Sequence, residues 1–181
     1  MTRLLDLYER FNNVLAAVLM WAAAAIICLI FLIFVVGAAT RYITGIGYDW
    51  SLDLPPMLVP WAVFLAIGPL LRQKRHISMD MLPAFAGRRM RVAIEVAGFA
   101  ISLVVAIIFA VNGAEVTQIF RDFGQLAEME IHWPLWWTYV SLPVGFVLFA
   151  NFALEGLLKD LAIAVGLRAD QVIAEHAHAD D

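Results

Sequence analysis

The stretch VLAAVLMWAAAAIICLIFLIFVVGAA, residues 14–39, decides the fold of this chain. No charged residue lies between Arg10 and Arg41. A helix needs about 20 apolar residues to cross the hydrocarbon core of a membrane, and this stretch is longer. The apolar region of a cleaved signal peptide is only about 7–15 residues long. The stretch therefore predicts a first transmembrane helix that is retained.

Three more windows without charge follow, at residues 54–71, 96–114 and 131–154. Apolar residues make up 63% of the chain, against about 45–50% in a typical soluble domain. Helices are expected in these windows because every backbone N–H and C=O group in hydrocarbon needs a partner within its own segment. The sequence predicts an all-α integral membrane protein with four transmembrane helices, at about residues 14–40, 53–71, 93–114 and 131–155.

The distribution of Lys and Arg predicts the orientation. Ten of the twelve basic residues lie in the N-terminal segment, the segment 72–91 and the C-terminal segment, which four crossings place on one side. Only Arg41 and Arg121 fall on the other side. Because cytoplasmic segments carry the excess of Lys and Arg, both termini are predicted to be cytoplasmic.

Amphipathic segments flank the predicted spans. Residues 1–13 place Leu4, Tyr8 and Phe11 on one helical face and polar residues on another, which is typical of a helix lying along the membrane surface. Residues 77–92 predict a similar surface arm, and residues 161–181 a solvated cytoplasmic tail. The transmembrane domain is accordingly predicted over residues 14–160.

Prolines are unusually frequent in the second predicted span, at Pro55, Pro56, Pro60 and Pro69. Pro55 and Pro56 fit a helix start, whereas the two deeper prolines remove backbone hydrogen bonds and predict a kink. Pro143 has the same effect in the fourth span.

The chain lacks the residues that catalysis or cofactor binding requires. Transmembrane enzymes and carriers keep ionisable residues inside their spans, whereas the four windows keep essentially none. Asn112 and His132 come closest, and both lie near the ends of their windows. His176 and His178 lie in the tail and make a weak zinc signal, for which solvated histidines are the simpler interpretation. Cys28 is the only cysteine, so no intramolecular disulfide can form. We predict no enzyme activity, no cofactor, no metal site and no nucleic-acid partner.

An ordered set of motifs resembles the small (Q) permease subunit of tripartite ATP-independent periplasmic (TRAP) transporters. The set runs through residues 1–160 in the order of the family. Its members are Arg41-Tyr42, Trp50 three residues before Asp53, Trp61-Ala-Val-Phe-Leu-Ala-Ile-Gly68, Arg72, His76-Ile-Ser-Met-Asp80, and Trp137-Thr-Tyr139 with Leu142-Pro143-Val-Gly145. Leu52 stands where the family often has a second acidic residue, and Pro55, Pro56 and Pro69 also depart from its pattern.

The resemblance implies a bacterial inner-membrane subunit that braces a large (M) permease subunit. In that family the large subunit carries the substrate and Na⁺ sites, and a periplasmic solute-binding protein delivers an organic acid. By this resemblance, residues 49–71 and the fourth helix would pack on the large subunit. Trp50 and Trp61 would be anchors, while Arg72, His76 and Asp80 would hold the cytoplasmic turn. The acidic segment 115–130 would contact the binding protein.

Two alternatives remain open at this point. The chain can be a structural or assembly subunit of another membrane complex, which would reveal itself by cofactor-bearing partners. A stand-alone membrane enzyme is disfavoured by the absence of ionisable residues within the windows.

Overall fold

Five helices make up nearly all of the described chain. The computed structural model describes residues 2–81, 88–127 and 132–164. The helices are α1 (Thr2–Thr44), α2 (Trp50–Met81), α3 (Arg88–Asp122), α4 (Leu135–Tyr139) and α5 (Ser141–Ala164). The tail beyond residue 164 and the middle of the predicted surface arm, residues 82–87, lie outside the described residues.

Four segments are long and apolar enough to cross a membrane. They are Leu7–Thr44, Trp50–Gln73, Ala93–Asp122 and Leu135–Ala162, the last of which joins α4 and α5. The prediction of an all-α fold with four membrane-crossing helices is confirmed. The division into a surface helix, a transmembrane domain and a tail stays a prediction.

Two helices extend further than the charge pattern indicated. Residues 2–13 continue into the first span as one helix, α1. Helix α3 continues to Asp122, so Glu115 and Asp122 lie on a helix and not in a loop. The turn that follows α3 contains Gly124, which adopts the left-handed conformation (φ 59°) that glycine tolerates best. Charge alone therefore does not mark a helix end.

Prolines act differently in α2 and at the α4–α5 junction. Helix α2 runs without interruption through its four prolines and begins at Trp50, so Pro55 and Pro56 lie in its second turn. Between α4 and α5 the helix is interrupted at Val140. Pro143 has no N–H to offer the carbonyl of Tyr139, which favours a break at this position.

The long helices form a row in the order α1, α2, α5, α3. Helix α5 packs against both α2 and α3, and α1 packs mainly against α2. Helices α1 and α3 are thus the edges of the row, and little of either span is buried inside the chain. The four helices also have two opposite ends along their length. The end that carries Arg72 and Lys159 is called the basic end. The other carries Trp133, Trp136 and Trp137 and is called the tryptophan end.

Glycines lie where neighbouring helices approach most closely. A Cβ atom added at Gly68 of α2 would lie 2.6 Å from the Phe152 ring of α5, and one added at Gly37 of α1 would lie 2.6 Å from Ser51 of α2. Gly145 and Gly156 of α5 face Phe64 and Phe99 in the same way. Small residues of this kind let helix backbones approach in a membrane, where no hydrophobic effect drives helices together.

Aromatic side chains and a short backbone pairing close the tryptophan end. The N–H of Ala127 donates to the carbonyl of Trp133 at 2.8 Å, which draws the ends of the α3–α4 connection together. The Phe120 ring stacks on Tyr139 with centroids 4.1 Å apart, and the Arg121 guanidinium lies 5.6 Å from the centre of the Trp136 ring. Such aromatic groups are typical of a membrane–water interface.

Candidate functional site: a polar cluster between three helices

Polar and charged side chains from three helices meet at the basic end. We call this group the polar cluster. Helices α1, α2 and α5 contribute to it, and its members are Tyr8, Glu9, Asn12, Arg72, Asn151, Glu155 and Lys159. Asn151, Glu155 and Lys159 lie at intervals of four residues, so they share one face of α5.

Glu155 is the centre of the charged half of the cluster. Its Oε1 accepts hydrogen bonds from Arg72 Nη2 at 3.0 Å and from Lys159 Nζ at 2.6 Å. Lys159 Nζ also donates to Glu9 Oε1 of α1 at 2.8 Å. The Glu155 side chain is only 3% exposed. The chain of contacts thus joins α2 to α5 and α5 to α1.

Amide and hydroxyl groups form the second half of the cluster, one helical turn away. The Tyr8 hydroxyl lies 2.8 Å from Asn151 Oδ1 and 3.1 Å from the Asn151 carbonyl oxygen. Asn151 Nδ2 donates to Asn12 Oδ1 at 2.8 Å, and Asn12 is completely buried. Together with the Lys159–Glu9 pair, these bonds hold the N-terminal part of α1 against α5.

The two cationic and two anionic side chains of the cluster balance in charge. Burying a charge away from water is costly unless the charge is paired and hydrogen-bonded, and here each of the four has an oppositely charged neighbour. A buried carboxylate with two cationic partners is held in one place by both of them. The arrangement fits a fixed clamp between helices better than a site that binds and releases an ion.

Two polar atoms of the cluster are buried without a hydrogen-bond partner among the described residues. They are Glu155 Oε2 and Asn12 Nδ2. Buried groups of this kind are commonly satisfied by internal water. No group of three or more His, Cys, Asp or Glu side chains within residues 2–81, 88–127 and 132–164 is arranged to hold a metal ion.

Five of the predicted site residues lie in contacts between helices of the chain. Trp61 Nε1 donates to the carbonyl of Trp137 at 3.1 Å, and Arg72 belongs to the polar cluster. Gly68 and Gly145 lie in the α2–α5 crossing, and Pro143 lies beside Gly113 of α3. These five positions join the helices of the row to one another.

The other predicted site residues lie at the ends of the helices. Arg41 is exposed in the last turn of α1, beside Gly47, and Trp50 and Asp53 are half-buried in the first turn of α2. His76 and Asp80 lie on the last turns of α2, and their side chains are outside the described residues. The structure does not bring these five residues together into one site.

Sequence reasoning missed most of the polar cluster. The pattern of residues 1–13 predicts an apolar face that includes Tyr8 and Phe11, but Phe11 is exposed, whereas the polar Asn12 is buried and Tyr8 is half-buried. Glu155 served only to mark the end of the fourth window. The spacing of Asn151, Glu155 and Lys159 was the available signal, because three polar residues at intervals of four line up on one helical face.

Replacing Asn151 with leucine is expected to loosen the N-terminal part of α1. The buried Asn12 loses its partner on α5, and Tyr8 keeps only the backbone carbonyl of residue 151. A buried polar group left unpaired costs about 1–3 kcal/mol. Thermal unfolding of the purified chain in mild detergent, followed by tryptophan fluorescence, measures this loss. Asn13→Leu is the matched control because Asn13 is exposed. An equal effect of the two substitutions would contradict the role given to Asn151.

The four apolar helices and the paired charges define the class: a small multi-pass membrane protein whose described spans are braced against one another. The sequence matches the family "Tripartite ATP-independent periplasmic transporters, DctQ component" over residues 30–163. The chain therefore belongs to the DctQ family and is a small permease subunit of a TRAP transporter. The comparisons with curated proteins and with solved structures gave no match.

Proposed function

We propose that this subunit braces the large (M) permease subunit of its transporter and does not itself bind the transported solute. The observation that carries the proposal is the polar cluster. Its charged groups are paired with one another and tie three helices together, which suits a rigid support. A carrier would instead present ionisable groups to its cargo inside the membrane.

The wider function follows from family membership. We propose that the transporter imports an organic acid with a Na⁺ gradient, and that a periplasmic solute-binding protein delivers the acid. The excess of Lys and Arg at the basic end supports a bacterial inner-membrane orientation with both termini in the cytoplasm. The tryptophan end would then face the periplasm.

We further propose that the predicted residues at the helix ends contact the large subunit. Trp50 and Asp53 would do so at the tryptophan end, and His76 and Asp80 at the basic end. Five further residues join helices within the chain and would support the large subunit only indirectly, by holding this subunit in shape. They are Trp61, Gly68, Arg72, Pro143 and Gly145.

Affinity purification from the native membrane tests this function. The tagged chain is expected to bring down a larger polytopic permease in about equimolar amount, because a bracing subunit is bound permanently. Membranes containing both subunits and the binding protein should then take up an organic acid only when a Na⁺ gradient is imposed. Recovery of the chain alone, or with cofactor-bearing subunits, would contradict the proposal.

A further inference from the structure

Helix α3 carries a line of exposed residues on the face that points away from α5. The line keeps the alternating three- and four-residue spacing of a helix-packing seam. We call it the α3 stripe, and it includes Ile101, Val104, Ile108, Val111, Glu115 and Asp122. The face towards α5, by contrast, contains the buried residues Ala106, Gly113 and Thr117. The stripe is thus the outer edge of the helix row.

The opposite edge of the row, on α1, has a different composition. Its exposed residues include Leu7, Phe11, Val14, Val18 and Trp21, and no charged residue interrupts α1 between Arg10 and Arg41. Lipid chains can cover such a face without leaving any polar group unsatisfied. The α3 stripe is equally apolar over its first four members but then reaches Glu115.

Glu115 lies deeper than the aromatic side chains of the tryptophan end. Phe120, stacked on Tyr139, marks their level on α3. Five residues of helix separate Glu115 from Phe120 in the direction of the apolar residues, which amounts to about 7–8 Å. Glu115 lies within the membrane-crossing segment Ala93–Asp122 and is exposed. Asn112, one turn deeper, is also exposed and donates to the Ile108 carbonyl of its own helix at 2.7 Å.

Lipid is a poor neighbour for this part of the stripe. Glu115 makes no hydrogen bond or ion pair within the part of the chain that the structure describes, and a carboxylate among acyl chains is costly. Phosphate headgroups carry negative charge and repel it. Intramembrane acidic groups generally face another protein, a basic partner or water. Charge complementarity therefore calls for a neighbour that brings a positive charge or an N–H group to this depth.

We propose that the α3 stripe packs against a membrane-spanning helix of another component of the transporter, and that this helix presents an arginine, a lysine or another N–H donor to Glu115. The four β-branched residues supply the packing surface, and Glu115 sets the depth at which the two helices meet. This inference rests on the proposed function, since it needs a second membrane component. It adds a docking surface on α3, within the membrane, to the contacts proposed at the ends of α2, and it leaves α1 to lipid.

Photocrosslinking within the assembled transporter tests the position of the surface. Benzoylphenylalanine is introduced in the full chain at Val111 on the stripe or at Val18 on α1, which are matched in exposure at 55% and 58%. Irradiation of native membranes should give an adduct with another transporter component from position 111 and only lipid adducts from position 18. The reverse pattern, or lipid adducts from both positions while the component still co-purifies, overturns the inference but leaves the proposed function intact.

Charge reversal tests the role of Glu115. Glu115→Arg should lower recovery of the second component on the order of tenfold, because like charges would meet in the interface, and Glu115→Gln should lower it less. Ile46→Arg is the control, since Ile46 is exposed in the loop between α1 and α2 at the same end and lies outside the segment 49–71. Thermal unfolding of the purified chain should be unchanged by all three substitutions. Unaltered recovery with Glu115→Arg contradicts the inference, whereas failure of the unsubstituted chain to recover any component contradicts the proposed function itself.

Discussion

Replacing Glu155 with alanine is expected to destabilise the purified chain by about 3–5 kcal/mol. The substitution removes the acceptor shared by Arg72 and Lys159, whose cationic groups are largely buried at 21% and 16% exposure. Arg72 then has no anionic partner among the described residues, although water or detergent headgroups can reach it. The loss is measured as a shift in thermal unfolding in mild detergent, by tryptophan fluorescence.

A double substitution separates the loss of a charge pair from the loss of packing. Arg72→Met combined with Glu155→Leu removes both charges and fills their volume, so it should recover most of the stability lost in Glu155→Ala. Glu115→Ala is a suitable control because Glu115 is exposed on the opposite edge of the row. If Glu155→Ala costs no more than Glu115→Ala, the polar cluster does not hold the helices together.

Replacing Gly145 with alanine is expected to cost about 3 kcal/mol, the upper end of the usual range for overpacking. The added Cβ atom would lie 2.8 Å from the backbone carbonyl oxygen of Phe64 and would also overlap the Phe64 side chain. A backbone carbonyl cannot rotate away as a side chain can, so α5 would have to move from α2. Thermal unfolding and the yield of folded protein in detergent report the change.

Gly98→Ala is the control for this prediction. A Cβ atom added at Gly98 would meet nothing within 4 Å, although Gly98 also lies inside a long helix. Alanine is the better helix former, so this substitution should leave stability unchanged or raise it by up to about 1 kcal/mol. Equal destabilisation by the two substitutions would show that the α2–α5 crossing is looser than the structure indicates.

The four membrane-crossing helices could be predicted from the sequence because each depends on the composition of its own segment. A window without charge, such as residues 14–39, predicts a spanning helix from its own composition. The ends of the helices were harder to predict, because a charged residue near the interface is compatible with both helix and loop. Glu115 illustrates this point: it ends an uncharged window, yet α3 continues for two turns beyond it.

The polar cluster was beyond prediction for a different reason. Its contacts between helices join residues more than 80 positions apart, such as Arg72 with Glu155 and Glu9 with Lys159. Which helix faces which is decided by close packing at glycines such as Gly68 and Gly145, and composition does not encode the order of helices in a row. The resemblance to the family picked out Gly68, Arg72 and Gly145 as site residues. It did not indicate that they make contacts between helices of this chain.

The position of α5 in the row bears on how the chain is made. Helices α2 and α3 follow each other in the sequence, yet α5, which is synthesised after both, lies between them. Until α5 is synthesised, α3 lacks its main neighbour, and Arg72 lacks Glu155. The α1–α2 pair can form before α5 is made, whereas α3 cannot take its place in the row until α5 is present. The row of the four long helices is therefore completed by α5, which enters between two helices made before it.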